Sequence, residues 1–138
     1  MSIPLHVVAI NAIVKKDNKY LLARRSYQDD QSPGEWSLPG GKVENEVGKN
    51  RLQEALKREV LEEVDIEITD EIELIYNDSF IRSSGDFVIM LTFVCHWKAG
   101  EAKPLEDQAE VVWLTAEEIS TMSDLPEHTK SRLSQIIK

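Results

Sequence analysis

The sequence holds a single cysteine, Cys95, so no disulfide can close within the chain. Its setting, FVCHW, reads as a strand in which the thiol serves as a small buried apolar group. Positive charge is scarce as well. Against 25 Asp and Glu stand only 16 Lys and Arg, a formal net charge of −9. That deficit excludes duplex DNA or long RNA as the main ligand, because neutralising a phosphate backbone takes a basic surface. A small phosphorylated ligand stays open provided cations mediate the contact. No apolar run approaches the ~20 residues that span a bilayer. The N-terminal MSIPLHVVAI lacks the basic segment that precedes the apolar stretch of a secretory signal. A cytoplasmic protein with no membrane partner is therefore expected. His6, His96 and His128 are scattered without ligand spacing, so none is assigned to a metal or to catalysis. Neither an internal repeat nor a linker interrupts the 138 residues, which read as one domain over 1–138.

Turn and strand signals organise the first third. Leu5–Val14 is an apolar run of strand length, Lys15–Asn18 a polar turn, and Lys19–Ala23 the return strand of a hairpin ending at Arg24-Arg25. Ser26–Gly34 has loop composition, and Trp36–Gly41 brings a short extended piece into a glycine turn. A helix follows from about Asn50 to Val64. Beyond it, Ile72–Phe80 and Phe87–Trp97 are strand-like around a polar turn at Arg82–Asp86. A charged loop, Lys98–Asp107, leads to a last strand at Glu110–Leu114. Thr115 with Glu118, and Asp124 with Glu127, have the spacing of capping boxes for two closing helices. The order β-β-β-α-β-β-β-α-α is of the α/β (α+β) class, with helices covering a mixed sheet.

The helix RLQEALKREVLEEV carries the informative pattern. At about 100° per residue, Leu52, Ala55, Leu56, Val60 and Val64 share one apolar stripe. Glu59 and Glu63 fall at about −20° and +20° of that stripe, with Glu62 at its edge. A carboxylate pointed at a core is unfavourable unless it meets a cation. Three carboxylates at i, i+3 and i+4, facing inward, are a way to hold Mg²⁺ or Mn²⁺, hard ions that favour oxygen. The competing reading is a solvated acidic face laced with Arg51 and Lys57.

The flanks decide between the two. From Gly41 to Ile66 the chain resembles the Nudix hydrolases, whose signature is G-x5-E-x7-R-E-U-x-E-E-x-G-U with U a bulky apolar residue. Arg58, Glu59, Val60, Glu62, Glu63 and Ile66 stand where the pattern asks, and Trp36–Glu44 (WSLPGGKVE) resembles the family's approach to it. Gly41 to Arg58 spans three positions more than the pattern, and Asn50 occupies the place of its first glutamate. Either Glu46 on the lengthened loop takes over that glutamate's role of orienting Arg58, or the role is absent. Asp65 replaces the pattern's glycine at the helix end, where a left-handed conformation is expected at some cost in stability.

The resemblance implies a Nudix-type α/β/α sandwich with a mixed central β-sheet and a MutT-like pyrophosphohydrolase. The reaction would be Mg²⁺-dependent (or Mn²⁺-dependent) hydrolysis of a nucleoside diphosphate linked to another moiety. A (deoxy)nucleoside triphosphate cut to monophosphate and pyrophosphate, cleansing the nucleotide pool, leads. An ADP-ribose or nucleoside diphosphate-sugar pyrophosphatase is the enzymatic alternative, and a nucleotide-sensing module without turnover the alternative of another class. By resemblance, Glu59, Glu62, Glu63 and the Gly40 carbonyl are metal ligands, for one to three ions. Glu59 and Arg58 are the catalytic pair, with Arg58 orienting a glutamate. Arg25, closing LLARR, and Gly41 are substrate-side residues. A loop base in some members directs attention to Glu106, Asp107 and Glu110, with Asp107 the choice and a further substrate-side candidate. Tyr76, Phe80, Phe87 and Trp97 are aromatics available to stack a base. The partner is a small nucleotide, and a homodimer remains open.

Overall fold

The computed structural model describes residues 2–29 and 32–137. Asp30 and Gln31 of the loop read from sequence lie outside the described residues. The chain forms β1 (Val7–Lys16), β2 (Lys19–Arg25), β3 (Trp36–Ser37), β4 (Gly40–Lys42), α1 (Arg51–Val64), β5 (Glu67–Ile68), β6 (Glu73–Ile81), β7 (Phe87–Ala99), β8 (Gln108–Thr115), α2 (Ala116–Ser120) and α3 (Glu127–Arg132). The two-residue turn between β1 and β2 is possible because Asp17 takes a left-handed φ of 55°.

The strands make one mixed sheet, running β3-β2-β1-β7-β5, with β4 beside β1, β6 beside β7 and β8 beside β2. The β1–β7 pair is parallel from Val7↔Val88 to Lys15↔His96, and the other pairs are antiparallel. β1 lies inside the sheet and is correspondingly apolar, with Ile10, Ala12, Ile13 and Val14 fully buried. Helix α1 packs one face of the sheet through Ala55, Leu56, Val60 and Val64, against Ile10, Val14, Leu21 and Phe93. On the opposite face α2 and α3 bring Ile119, Leu125 and Leu133 onto Ile13 and Leu22. The expected α/β/α layering is therefore observed.

Most elements stand where the sequence places them, and the departures have local causes. β5 pairs with β7 through only two residues, too few to show a period of 2. The capping box expected at Asp124 does not form. Pro126 is extended (φ −61°, ψ 147°), the helix begins after it with no side-chain cap, and the Asp124 carboxylate accepts the Trp36 indole N–H at 3.1 Å instead. The Thr115 box does form, with Thr115 Oγ1 accepting Glu118 N–H at 3.2 Å and Glu118 Oε1 accepting Thr115 N–H at 2.9 Å. Thr115→Ala should accordingly lower stability by about 1 kcal/mol, read as a thermal-midpoint drop of a few degrees.

Candidate active site

Helix α1 ends at Asp65, which takes the left-handed conformation (φ 61°, ψ 33°) and donates its N–H to the Leu61 carbonyl. This is the glycine position of the family pattern, occupied here by a side chain that tolerates the geometry. Two N–H groups of the loop between β7 and β8 seal the helix end further. Leu105 donates to the Glu63 carbonyl at 2.9 Å and Lys103 to that of Val64 at 3.0 Å. The loop is thereby fixed beside the acidic face of α1.

Against that face lies β4. Its Gly40-Gly41 pair is registered with Asn11 and Ile10 of β1. The Gly40 N–H donates to Glu63 Oε1 at 3.0 Å, while a Cβ at Gly41 would sit 2.7 Å from the Glu59 carboxyl carbon. Space thus calls for glycine at both positions, at Gly41 because the backbone approaches the Glu59 carboxylate and at Gly40 because it approaches the β1 backbone at Ile10 and Asn11. The Glu59 side chain is 13% exposed, whereas that of Glu62 is 41% exposed at the rim. The helical wheel assigned these positions correctly, with two carboxylates inside and one at the edge.

Burial is the main force on both inner groups. It raises the Glu59 pKa, which Arg58 opposes and Glu62, Glu106 and Glu44 reinforce. It pushes Glu63 up to about 7, against the hydrogen bond from Gly40 and the charge of Arg25, with Glu59 and Glu106 adding to the rise. Crowded, partly desolvated carboxylates of this kind are what a cation would stabilise.

Arg58 spans the helix face, with Nη1 3.4 Å from Glu59 Oε1 and 3.5 Å from Glu62 Oε2. Glu46 instead pairs with Arg51, so the lengthened loop does not supply an orienting partner to Arg58. That loop borders a cleft of about 330 Å³ along the first half of α1, lined by Val43, Glu44, Glu46, Arg51, Glu54 and Arg58 among others.

The loop carboxylates separate. Glu106, at a left-handed φ of 51°, is the one whose charge acts on both Glu59 and Glu63. Asp107 is exposed and accepts the Ser26 N–H through its backbone carbonyl at 2.8 Å. Glu110 pairs with Arg24 at 2.9 Å. Arg25 is brought to the site, its charge reaching Glu63. Glu44, given no role in the sequence beyond its place in WSLPGGKVE, stands two residues after Gly40-Gly41-Lys42 and adds to the negative potential at Glu59. The aromatic candidates disperse. Phe87 and Phe80 are 55% and 40% exposed on β7 and β6, and Trp97 carries Lys16 over its ring at 4.1 Å.

Among the described residues no three acidic, His or Cys side chains close into a ready-made metal cage. The donor set nonetheless fits a hard divalent ion, being oxygen throughout, with Glu59 and Glu63 turned inward and opposed in ionisation by burial. No helix in the described residues is long and apolar enough to cross a membrane.

Comparison with known proteins agrees with this fold. A nucleoside triphosphatase NudI of Escherichia coli O17:K52:H18 is 32% identical over 118 residues, covering 78% of this chain and 80% of the relative. The CTP pyrophosphohydrolase of Escherichia coli K12 is 43% identical over 63 residues, 46% of this chain and 44% of the relative. The crystal structure of a MutT NUDIX hydrolase from Burkholderia pseudomallei superposes with a TM-score of 0.79 at 24% identity, covering 96% of this chain and 98% of that one. The family model of the NUDIX domain matches residues 4–135, and the chain belongs to that family as a Nudix hydrolase.

Proposed function

We propose that this hydrolase cuts a nucleoside triphosphate to the monophosphate and pyrophosphate. The observation that carries the reading is the seating of Glu59 and Glu63, with Arg58, against the Gly40-Gly41 turn. Two relatives named for triphosphate chemistry, a nucleoside triphosphatase and a CTP pyrophosphohydrolase, support it. Glu59, Glu62, Glu63 and the Gly40 carbonyl would hold Mg²⁺ or Mn²⁺. The ion's contribution is to neutralise phosphate charge and acidify a water.

The remaining work falls to the protein's own groups. Arg58 orients Glu59 and Glu62 by bridging them. Arg25, whose charge reaches Glu63, meets substrate phosphate at the edge of the site. Glu59, or Glu106 from the strapped loop, accepts the proton of the attacking water. Glu106 takes precedence over Asp107 in that role because its charge reaches both inner glutamates. We place the enzyme in the cytoplasm, where nucleoside triphosphates are made and used, acting as one domain over residues 1–138.

A panel of nucleoside triphosphates, ADP-ribose and nucleotide sugars, assayed with and without Mg²⁺, tests the reading. Pyrophosphate together with a monophosphate is the expected product pair. Turnover confined to ADP-ribose or a nucleotide sugar would transfer the assignment to those substrates, and nucleotide binding without any product would make the chain a sensor. Sedimentation of the same samples reads out whether it acts as a homodimer.

A further inference from the structure

Asp29, on the loop after β2, is a charged side chain with only 8% of its surface exposed. Enclosing a carboxylate is unfavourable unless it is paired and hydrogen-bonded. Both conditions are met. Its Oδ2 lies 3.2 Å from Nη1 of Arg25, and its Oδ1 accepts the Ser32 N–H at 2.8 Å. The loop therefore folds back to set one carboxylate against the last arginine of β2.

The strand itself explains why that arginine is available. β2 runs in step with β8 from Lys19↔Thr115 to Arg24↔Glu110, then slips, so that Arg25 stands opposite Gln108. A bulge of this sort re-aims the side chain at the slip. The Arg25 N–H is fixed to the Glu35 carbonyl at 2.9 Å, which pins the backbone at the bulge. The neighbouring Arg24 is absorbed elsewhere, bonded to Glu110 and set over the rings of Tyr27 and Trp36 at 5.0 and 5.8 Å. Arg25 remains about one-third exposed, with its charge reaching Glu63. A guanidinium carries five N–H donors, so one bond to Asp29 fixes its plane and leaves a fork suited to phosphate oxygens.

We infer that Asp29 is a positioning residue, which holds the Arg25 guanidinium at the rim of the glutamate site with its free donors towards the substrate's phosphates. The inference rests on the triphosphate reading above. It differs from a simple loop anchor, for which the bond to Ser32 N–H would suffice.

The test is a double-mutant cycle on Asp29→Asn and Arg25→Ala. It is read as KM and kcat for the triphosphate turned over in the panel, and as Kd for an α,β-methylene CTP analogue by calorimetry. Asparagine keeps an acceptor for Ser32 N–H and removes the charge. Asp29→Asn should raise KM and Kd about tenfold, with kcat changed less than about threefold, and add less than about twofold once Arg25 is gone. An equal effect in both backgrounds, or a KM and Kd within about twofold of wild type, overturns the assignment. Thermal midpoints accompany each measurement. Should Asp29→Asn fail to fold, Asp29→Glu is read by the same cycle, since it keeps the charge and displaces it. A wild-type protein without Mg²⁺-dependent turnover of any triphosphate would sink the proposed function, while the Kd cycle would still decide the role of Asp29.

Discussion

Glu63→Gln is expected to lower kcat/KM at least about a hundredfold while making the metal-free protein more stable at pH 8. Outer partners of metal ligands already cost about 10–100-fold when removed, so a carboxylate assigned to hold the ion itself should cost no less. The stability gain follows from the charge. Burial raises the Glu63 pKa from 4.5 to about 7, so the folded protein binds this proton more tightly than the unfolded chain does. Its contribution is present in full below pH 4.5, declines as pH rises, and is lost above pH 7. Glutamine cannot ionise, and it avoids a penalty on the order of 3 kcal/mol at alkaline pH. Mg²⁺ should reduce the advantage, because an ion held by this ligand set would stabilise the glutamate form more than the glutamine form. Thermal melts from pH 5 to 9, with chelator and then with Mg²⁺, display both effects beside the rate. Glu62→Gln separates them, since Glu62 is half-exposed at the rim and its loss should cost activity with no comparable gain in stability. A Glu63→Gln enzyme with wild-type turnover would remove the metal assignment.

The α1 site was legible in the sequence because a helix makes direction a function of position. The wheel that put Ala55, Leu56, Val60 and Val64 on the core also put Glu59 and Glu63 beside them, and the structure keeps both statements. The β1–β2 hairpin was legible from the polar run Lys15–Asn18 between two apolar stretches, although Lys15 and Lys16 belong to β1 and the turn is only Asp17-Asn18. Partner choice over long separations was not. The parallel pairing of Val7–Lys15 with Val88–His96 joins segments about eighty residues apart, and no local pattern in either names the other. The same holds for the loop before β8, whose position depends on N–H groups of Lys103 and Leu105 meeting the end of α1. Composition alone could not rank Glu106 above Asp107, because both are acidic and adjacent. Their settings distinguish them, since Glu106 sits at a left-handed turn next to the strap to α1 and its charge acts on Glu59 and Glu63. Asp29 was hidden likewise, since an aspartate in a polar loop gives no sign of being buried against Arg25.

Gly40 and Gly41 are adjacent and look interchangeable in sequence, yet alanine should affect them in opposite ways. Neither has a positive φ among the described residues, so conformation does not require glycine at either position. Space does. A Cβ at Gly40 would run into the Ile10 carbonyl oxygen and lie 2.6 Å from Asn11 Cα. Both obstacles are backbone of β1, inside the sheet and packed on two sides, so they have nowhere to go. Gly40→Ala should therefore cost about 3 kcal/mol, the upper end for overpacking, and lower the thermal midpoint by about 10 °C. At Gly41 the added carbon meets the Glu59 carboxylate 2.7 Å away, the far end of a flexible side chain. That group can swing aside, so Gly41→Ala should change stability by less than about 1 kcal/mol. Turnover should nonetheless fall at least about tenfold, because the displaced carboxylate is the one assigned to the ion and the water, and a shift of about 1 Å in a catalytic group is enough to lose that much. Melting curves and kcat/KM on the two variants give a crossed pattern, one failing in stability and the other in rate. If Gly41→Ala turned over substrate at the wild-type rate, Glu59 would not be needed where the glycine turn holds it.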